Sequence, residues 1–433
     1  MNTVFYKKEW EALSREISAR GADGEAVTEA LSDYYSIFDD GAVEWLARLY
    51  NPTVGGFHYS NSSRDNESVT TEVGSFSLLP DAESSFQALT VLQASGVIRD
   101  FAELPKEMRE GLKRFICSLQ DEESGFIYHP QWKGLMRDGM GASPNADRMW
   151  RSRRGRDMSW AIGIAERLGF TLPYKTAYER LGDDESREAM PDYLTDKDKL
   201  VAFLDTLDWE NDAYYAGNML AAQARLIGAA GLGRAAVGYL NERQSPETGL
   251  WGKKGGYAAI NAYLKISCAY NELKEVIPNA EKALPSILEC ATTEERAATV
   301  CYQYNVWFSV KNVLENIRSH GGAAGAKRAA EISRALLPRC TGAIAATKKK
   351  LLTFKKPDGS FSYYPFGTAD HSQGMPVAIK GSDEGDMNAT VICTSGLAKN
   401  LFAALDISDY FIPLFSPCAF EKFRRALRLT SEL

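Results

Sequence analysis

The histidines of this chain stand close to glycine-aromatic pairs, where their imidazoles could perform acid–base chemistry. Three of the four histidines follow such a pair, and tyrosines stand nearby. Imidazole exchanges a proton near neutral pH, and a positioned phenol can donate or accept one, so these residue types suit general acid–base catalysis. We expect the three histidines to lie at the same end of the fold and at least two of them to line one pocket. The candidates are His58, Tyr59, His129 and His371.

Three aspartates are predicted at the starts of helices, because each stands at a run of small residues. They are Asp81, which has Glu83 close by, Asp157 and Asp386. A carboxyl group whose pKa is raised by burial can protonate a substrate, so these residues are candidate catalytic acids. Aspartate also caps helix N termini without any catalytic role, and helix capping is the alternative for each of them.

The densest run of charge stands directly before the predicted helix start at Asp157. It contains five arginines within nine residues. The guanidinium group binds carboxylate, sulfate and phosphate oxygens in a forked geometry, so the run favours an anionic ligand. We expect Arg154 and Arg156 to point towards that ligand; a solvated surface loop is the alternative. The run is Arg148, Arg151, Arg153, Arg154 and Arg156, and the other predicted substrate-binding residues are Asn61, Arg64, Trp132, Lys253, Lys254, Tyr257, Tyr363 and Tyr364.

A short pattern recurs four times and predicts the elements that hold these side chains. Each copy has an apolar stretch with helical spacing, a polar turn, and a glycine followed at once or one residue later by an aromatic residue. Glycine enters the left-handed region without a Cβ penalty, so it is predicted to end the helix, and the aromatic ring folds back onto the helix end. A second helix is predicted to begin downstream, at Asp81, Asp157, Asn261 and Asp386. The copies are 49–57, 119–126, 243–251 and 355–361.

Helix, glycine-aromatic turn and small-residue inner helix resemble the repeats of the terpenoid cyclase and protein prenyltransferase superfamily. The resemblance covers about residues 40–410 and implies an all-α fold, an α/α toroid in which a ring of inner helices lies inside a ring of outer ones. About six hairpins of roughly 70 residues each would use the whole chain, 1–433, as one domain. Residues 1–40 would then be a helical lead-in and residues 411–433 a tail helix.

The chemical motifs of that superfamily are missing from this chain. No Asp-x-Asp-Asp proton donor occurs, and Ala389 stands where the resemblance to prenyltransferase β-subunits places a zinc-ligating histidine. We therefore expect an enzyme of this toroid superfamily with a nonstandard acid–base site, an anionic substrate, and no metal or other cofactor. Similar turns occur in polysaccharide lyases, and residues 358–361 with His371 resemble either group. A lyase or hydrolase of acidic oligosaccharides is therefore one alternative, and a non-catalytic binding or scaffold protein is another.

Composition narrows the predicted location and partners. The formal net charge of −7 argues against general nucleic-acid binding. The seven cysteines are scattered, and none stands with a histidine at metal-ligand spacing. The N terminus has no apolar run typical of a signal peptide, and no stretch approaches the roughly 20 apolar residues of a membrane span. These features predict a soluble cytoplasmic protein with a small-molecule or oligosaccharide ligand, and they leave the oligomeric state open.

Overall fold

The computed structural model describes residues 2–66, 68–71, 74–132, 144–181 and 191–427. In these residues α-helices dominate, which confirms the predicted all-α class. The strands form short antiparallel pairs. Among the helices described, none combines the length and the apolar character needed to cross a lipid bilayer.

The helices follow the chain in three groups. The first group is α1 (Asn2–Phe5), α2 (Lys7–Ala19), α3 (Gly24–Tyr35), α4 (Gly41–Arg48), α5 (Asn61–Asp65), α6 (Ala82–Ala94) and α7 (Lys106–Ser118). The second group is α8 (Pro144–Leu168), α9 (Ala177–Arg180), α10 (Lys197–Asp205), α11 (Ala213–Ala229), α12 (Gly233–Asn241) and α13 (Gly256–Leu273). The third group is α14 (Leu284–Thr292), α15 (Cys301–His320), α16 (Gly322–Leu336), α17 (Cys340–Leu351), α18 (Met387–Val391), α19 (Leu397–Ala404) and α20 (Ala419–Ala426). The strand pairs are β1 (Tyr50–Asn51) with β2 (Gly56–Phe57), β3 (Ser68–Thr71) with β4 (Gly74–Ser77), and β5 (His371–Ser372) with β6 (Met375–Pro376).

The repeated turns have the predicted glycine conformation, but the glycine does not end the helix itself. In the second copy, α7 ends at Ser118, and Gly125 closes the following loop by donating its N–H to the Asp121 carbonyl at 2.9 Å. The polar residues between helix and glycine therefore form a short loop. The φ angles of the turn glycines are +88° at Gly55, +69° at Gly125, +68° at Gly249 and +86° at Gly359. The aromatic side chains that follow them, Phe57, Phe126, Trp251 and Phe361, are all buried.

Asp81 and Asp386 cap helices as predicted, whereas the predicted helix start at Asp157 is wrong. Asp81 accepts the Ser84 N–H at 2.9 Å at the start of α6, and Asp386 accepts the Ala389 N–H at 2.7 Å at the start of α18. Asp157 instead lies in the second half of α8. The arginine run is therefore part of a helix and not a loop before one.

Helix α8 begins far upstream because its sequence supports a helix from Pro144 onward. Proline is tolerated in a first turn, and arginine has high helix propensity, so the five arginines favour continuation of the helix. Gly155 lets α8 approach α11 closely, since a Cβ at this position would lie 2.2 Å from the Ala222 carbonyl oxygen. The predicted start at Asn261 is also wrong, because α13 already begins at Gly256.

A series of helices packs in cyclic order. Helix α6 packs on α8, α8 on α11, α11 on α13, α13 on α15, and α15 on α19. The order returns to its beginning because α18 packs on α6, and the π-helical segment Ile392–Gly396 joins α18 to α19. Other helices flank the series: α7 packs on α8, α12 on α11, and α14 on α13 and α15.

Buried amides fix the register between α13 and α15. The three donors lie on one face of α15, so sliding one helix along the other would leave buried amide groups unpaired. The faces that these two helices present to the rest of the series are therefore fixed. The pairs are Asn305 to Asn261 Oδ1 (2.8 Å), Asn312 to Ser267 Oγ (2.9 Å) and Asn316 to Asn271 Oδ1 (3.2 Å).

Candidate functional site

A cavity of about 450 Å³ lies among the helices of the cyclic series, and α6, α8, α11, α13 and α15 all contribute to its wall. This volume falls within the roughly 300–1,000 Å³ that is typical of small-molecule sites. Its charged lining residues are Glu83 on α6, Arg156 on α8 and Lys265 on α13. Its aromatic lining residues are Phe86, Trp160, Tyr214, Tyr304, Phe308 and Tyr363.

One buried arginine next to this wall holds three carboxylates. The Arg153 side chain is fully buried, and its Nε donates to Asp157 Oδ1 at 2.9 Å. Its Nη1 donates to Glu83 Oε2 at 2.8 Å, and its Nη2 donates to Asp81 Oδ1 at 3.2 Å. The guanidinium carbon lies 4.6 Å from the centre of the Trp132 ring, which adds a cation–π contact. These contacts join α6 to α8.

The carboxylate cluster around Arg153 retains a proton close to neutral pH. One guanidinium cannot neutralise three buried carboxylates, so the charged form of at least one of them is disfavoured. Burial raises the pKa of Asp157 to about 7, although Arg153 opposes the shift. Burial also raises the pKa of Glu83, again against the effect of Arg153. In this cluster, burial thus favours the protonated form of both Glu83 and Asp157.

Glu83 belongs both to this cluster and to the cavity wall. Besides Arg153, the Ser372 hydroxyl of β5 donates to its Oε2, and Gln87 Nε2 donates to its Oε1 at 3.2 Å. Gln87 also donates to Asn388 Oδ1 at 3.0 Å. Since both oxygens are held, the carboxyl group has a fixed orientation. A proton on Glu83 would be presented to the cavity at a defined place.

Two cationic side chains reach the cavity without a carboxylate partner. Arg156 Nη2 donates to Asn218 Oδ1 at 2.7 Å, and the buried Arg156 Nε has no hydrogen-bond partner in the described part of the chain. Asn218 is itself held by Gln373 Oε1 at 3.1 Å. Among the described residues, neither Arg156 nor Lys265 forms a salt bridge. Burial, and then the positive charge of Arg156, lower the pKa of Lys265 to about 8. An anion in the cavity would be attracted to both side chains.

His58 and His129, two of the predicted catalytic residues, are not among the residues that line this cavity. A ring nitrogen of His58 lies 3.2 Å from Asn51 Nδ2 within its own turn. The Nε2 atom of His129 lies 3.1 Å from the carbonyl oxygen of Pro80. Burial lowers the pKa of both histidines to about 4, so both are neutral at pH 7.

His371, the third predicted histidine, is exposed in β5. Its Nδ1 lies 3.3 Å from an oxygen of Asp370. It is not among the cavity-lining residues either, although its neighbour Ser372 bonds to Glu83. The structure therefore places none of the three histidines in the cavity wall. Within the described residues, no group of three or more His, Cys, Asp or Glu side chains is arranged to hold a metal ion.

The predicted acids fall into two separate places. Asp81 and Asp157 meet at Arg153, as described above. Asp386 is held elsewhere by neutral donors: besides the capping bond, its Oδ2 accepts the Tyr363 N–H at 2.8 Å, and the Tyr59 hydroxyl bonds to it. Burial raises the pKa of Asp386 to about 7. Its bonds fix the start of α18 and the chain around Tyr363.

Among the predicted ligand-binding residues, Arg156 and Tyr363 line the cavity. Arg154 does not line it, and its guanidinium carbon lies 4.4 Å from the centre of the Phe126 ring. Arg148 lies in α8, but its side chain is outside the described part of the chain. One of the two arginines that we expected at the ligand is therefore at the cavity.

The other predicted ligand-binding residues are not among the cavity-lining residues. Arg64 pairs with Asp65 at 2.7 Å, and Lys253 pairs with Glu210 at the surface. The rest are Asn61 and Tyr364, which are partly buried, Lys254, which is exposed, and Trp132 and Tyr257, which are buried.

Several residues of the site were not predicted from the sequence. Arg153 was one of five arginines, and the sequence did not single it out. Its spacing of four residues from Asp157 was a usable signal, because residues i and i+4 are neighbours on a helix. Lys265 was missed as well, although it interrupts an apolar stretch of α13 between Leu264 and Ile266. Gln373 carried no signal, because a distant hairpin brings it to the cavity.

Comparison with known proteins adds little to this geometry. No protein-family model matches the sequence, and no curated protein matches it. Among solved structures, the chain is similar to one described as a crystal structure of a protein from Actinoplanes. The two are 14% identical, the match covers 87% of this chain and 99% of that chain, and the TM-score is 0.37. A similarity this weak carries no argument about fold or activity.

Proposed function

We propose that this chain is an enzyme of the terpenoid cyclase-like α/α-toroid class that binds a small anionic substrate in its cavity. The cyclic packing order of α6, α8, α11, α13, α15 and α18–α19 supports the toroid, because it is the order expected of an inner ring. The resemblance of the repeated turns supports the superfamily. The acid–base site is a nonstandard one.

The lining of the cavity supports an anionic substrate with an apolar body. Arg156 and Lys265 both line the cavity, and among the described residues neither forms a salt bridge, so both positive charges are open to an anionic ligand. Guanidinium groups bind carboxylate and phosphate oxygens strongly when they are shielded from water. The rings of Phe86, Trp160 and Phe308 would contact the apolar part of the substrate.

The observation that carries the proposal is that Glu83 both lines the cavity and bonds to Arg153. Its raised pKa favours the protonated carboxyl group, which can act as a general acid on a bound substrate. After the proton leaves, Arg153, Ser372 and Gln87 stabilise the carboxylate with the hydrogen bonds they already make. Asp157 acts as a positioning residue, because it touches Arg153 and does not line the cavity.

Two probes separate the substrate classes: farnesyl diphosphate, which is anionic and apolar, and trigalacturonate, which is an acidic oligosaccharide. Calorimetry measures binding, and mass spectrometry measures conversion. We expect the diphosphate to bind to the wild-type protein and to be converted. Conversion of trigalacturonate alone would overturn the toroid-cyclase proposal in favour of a carbohydrate-active enzyme, and binding without conversion would favour a binding protein.

Variants then test the assigned roles. Glu83→Gln should keep substrate affinity and lower turnover by about 10²- to 10⁴-fold, which is the usual contribution of a general acid. Arg156→Gln should weaken binding. The matched control is Glu110→Gln, which changes an exposed glutamate of α7 and should change neither quantity. Full turnover in Glu83→Gln would contradict the role of Glu83, and failure of both probes to bind would contradict an anionic substrate.

A further inference from the structure

Lys265 is placed as a reactive amine would be, and not as a surface or structural lysine. It lies on α13 with its side chain in the cavity wall, between the buried Leu264 and Ile266. Within the described residues no carboxylate forms a salt bridge with it. Its Nζ lies 5.9 Å from the centre of the Tyr214 ring, which also lines the cavity. A lysine that only stabilised the fold would be expected to have an acidic partner.

Two features of the surroundings favour the neutral amine. The Lys265 side chain is partly buried, which disfavours its charged form, and the guanidinium of Arg156 on α8 repels a second positive charge. The groups that act on Lys265 are Arg156, Cys301, Cys268 and Glu83, and the sum brings its pKa to about 8. A lysine that is desolvated, or next to another cation, is the usual form of an activated amine nucleophile.

We propose that Lys265 forms an imine with the carbonyl group of a small oxo acid in this cavity, and that Arg156 binds the carboxylate of that acid. The cavity offers both contacts in one place. The amine of Lys265 can attack an electrophilic carbon, and the guanidinium of Arg156, which forms no salt bridge among the described residues, attracts an anionic oxygen. A compound with a carbonyl next to a carboxylate satisfies both. This inference rests on the proposed function in sharing its cavity, its preference for an anion and the acid role of Glu83.

The step balances without a cofactor. The lone pair of neutral Nζ attacks the carbonyl carbon, and the π electrons of the carbonyl move to its oxygen. Proton transfer from nitrogen to oxygen gives a neutral carbinolamine. Protonation of its hydroxyl by Glu83 lets the oxygen leave as water, and the iminium then returns a proton to the Glu83 carboxylate. The sum is amine plus carbonyl giving imine plus water, and the imine withdraws electrons from the adjacent carbon.

Reductive trapping tests the inference on the chain 1–433. The protein is incubated with pyruvate and sodium cyanoborohydride, which reduces an imine to a stable secondary amine, and peptide mass spectrometry locates the adduct. We expect one adduct, on Lys265, and none in Lys265→Met. Lys327→Met is the matched control, because it removes an exposed lysine of α16, and the adduct on Lys265 should persist in it.

A second pair of reagents isolates the role of Arg156. In Arg156→Gln the labelling of Lys265 by pyruvate should fall by about tenfold or more, because a charge-assisted hydrogen bond is lost. Labelling by propionaldehyde, which has no carboxylate, should not fall. Equal labelling of Lys265 and surface lysines, or an unchanged adduct count in Lys265→Met, would overturn the inference. Diphosphate turnover that depends on Glu83, seen together with no adduct on Lys265, would leave the proposed function standing and reject only the imine.

Discussion

Replacement of Arg153 by methionine should destabilise the protein strongly, and the effect should depend on pH. Methionine keeps much of the length and apolar contact of arginine but removes the charge. Asp81, Glu83 and Asp157 would then lie together without a cation, since Arg153 bridges all three. Removing one partner from a buried ion pair costs about 3–5 kcal/mol of the free energy of unfolding, because the remaining charge is uncompensated.

The expected change in melting temperature follows from the size of the chain. The entropy of unfolding is about 2.1 cal/mol/K per residue. For 433 residues this gives about 0.9 kcal/mol/K. A loss of about 3–5 kcal/mol therefore lowers the melting temperature by about 3–6 °C. The same substitution at Arg328, an exposed partner of Glu281, is the matched control, and it should leave the melting temperature nearly unchanged because water screens an exposed ion pair.

The pH dependence distinguishes charge from packing. Without Arg153, protons would bind the buried carboxylates more tightly in the folded than in the unfolded chain, so the stability of the variant rises as pH falls. We expect the deficit relative to the wild type to be larger at pH 8 than at pH 5, as measured by differential scanning calorimetry. An equal deficit at both pH values would refute the electrostatic argument and indicate lost packing, and a deficit no larger than that of the Arg328 variant would refute the assigned importance of the cluster.

Three further predictions concern single positions. Burial raises the pKa of Asp157 to about 7 in the folded chain, so its contribution to stability is fully present below its unfolded pKa of about 4 and is lost as pH rises through about 7. Asp157→Asn should therefore make the melting temperature less dependent on pH between pH 5 and 8, and an unchanged pH dependence would contradict this. Gly125→Ala should lower the urea midpoint of unfolding, because φ is +69° and the new Cβ would lie 2.2 Å from the Lys175 carbonyl oxygen. Gly169→Ala is the control, because Gly169 has the same φ but open space around it, and the substitution should cost only about 1–2 kcal/mol of backbone strain. Equal losses in the two variants would refute the steric explanation. Asp386→Asn should cost about 1–3 kcal/mol in urea unfolding, since an amide cannot accept both backbone N–H groups that the carboxyl accepts, and a neutral outcome would argue against its capping role.

Local features of the fold were predictable from the sequence because they depend on near neighbours in the chain. The positive φ of Gly125 follows from a turn that only a few residues define, and the caps at Asp81 and Asp386 follow from the residues just after them. The start of α8 was not predictable in this way. Asp157 and the residues after it resemble a helix start, but the helix propensity of the upstream residues lets the helix begin at Pro144.

The candidate site was predicted less well than the turns, because its residues are brought together by long-range packing. Histidines after the turns looked like catalytic residues, yet His58 contacts Asn51 in its own turn, His129 contacts the Pro80 carbonyl, and neither lines the cavity. The residues that meet at the cavity come from helices far apart in the chain, such as Glu83 and Lys265. The sequence shows residue types and their spacing, but the packing of the helices decides which of these residues meet at the cavity.

The Arg153 cluster has a composition that stability alone does not explain. A buried arginine with its carboxylates often contributes no more stability than apolar side chains of the same volume, because desolvation offsets the attraction between the charges. Here the excess of carboxylates over guanidinium makes the cluster still less favourable for folding. Burial raises the pKa of Asp157 to about 7 and also raises the pKa of Glu83, and Glu83 is the member of the cluster that reaches the cavity wall. A purely structural cluster has no need of a carboxyl group at that wall, so the placement of Glu83 argues that the cluster sets the protonation of a group that meets a ligand.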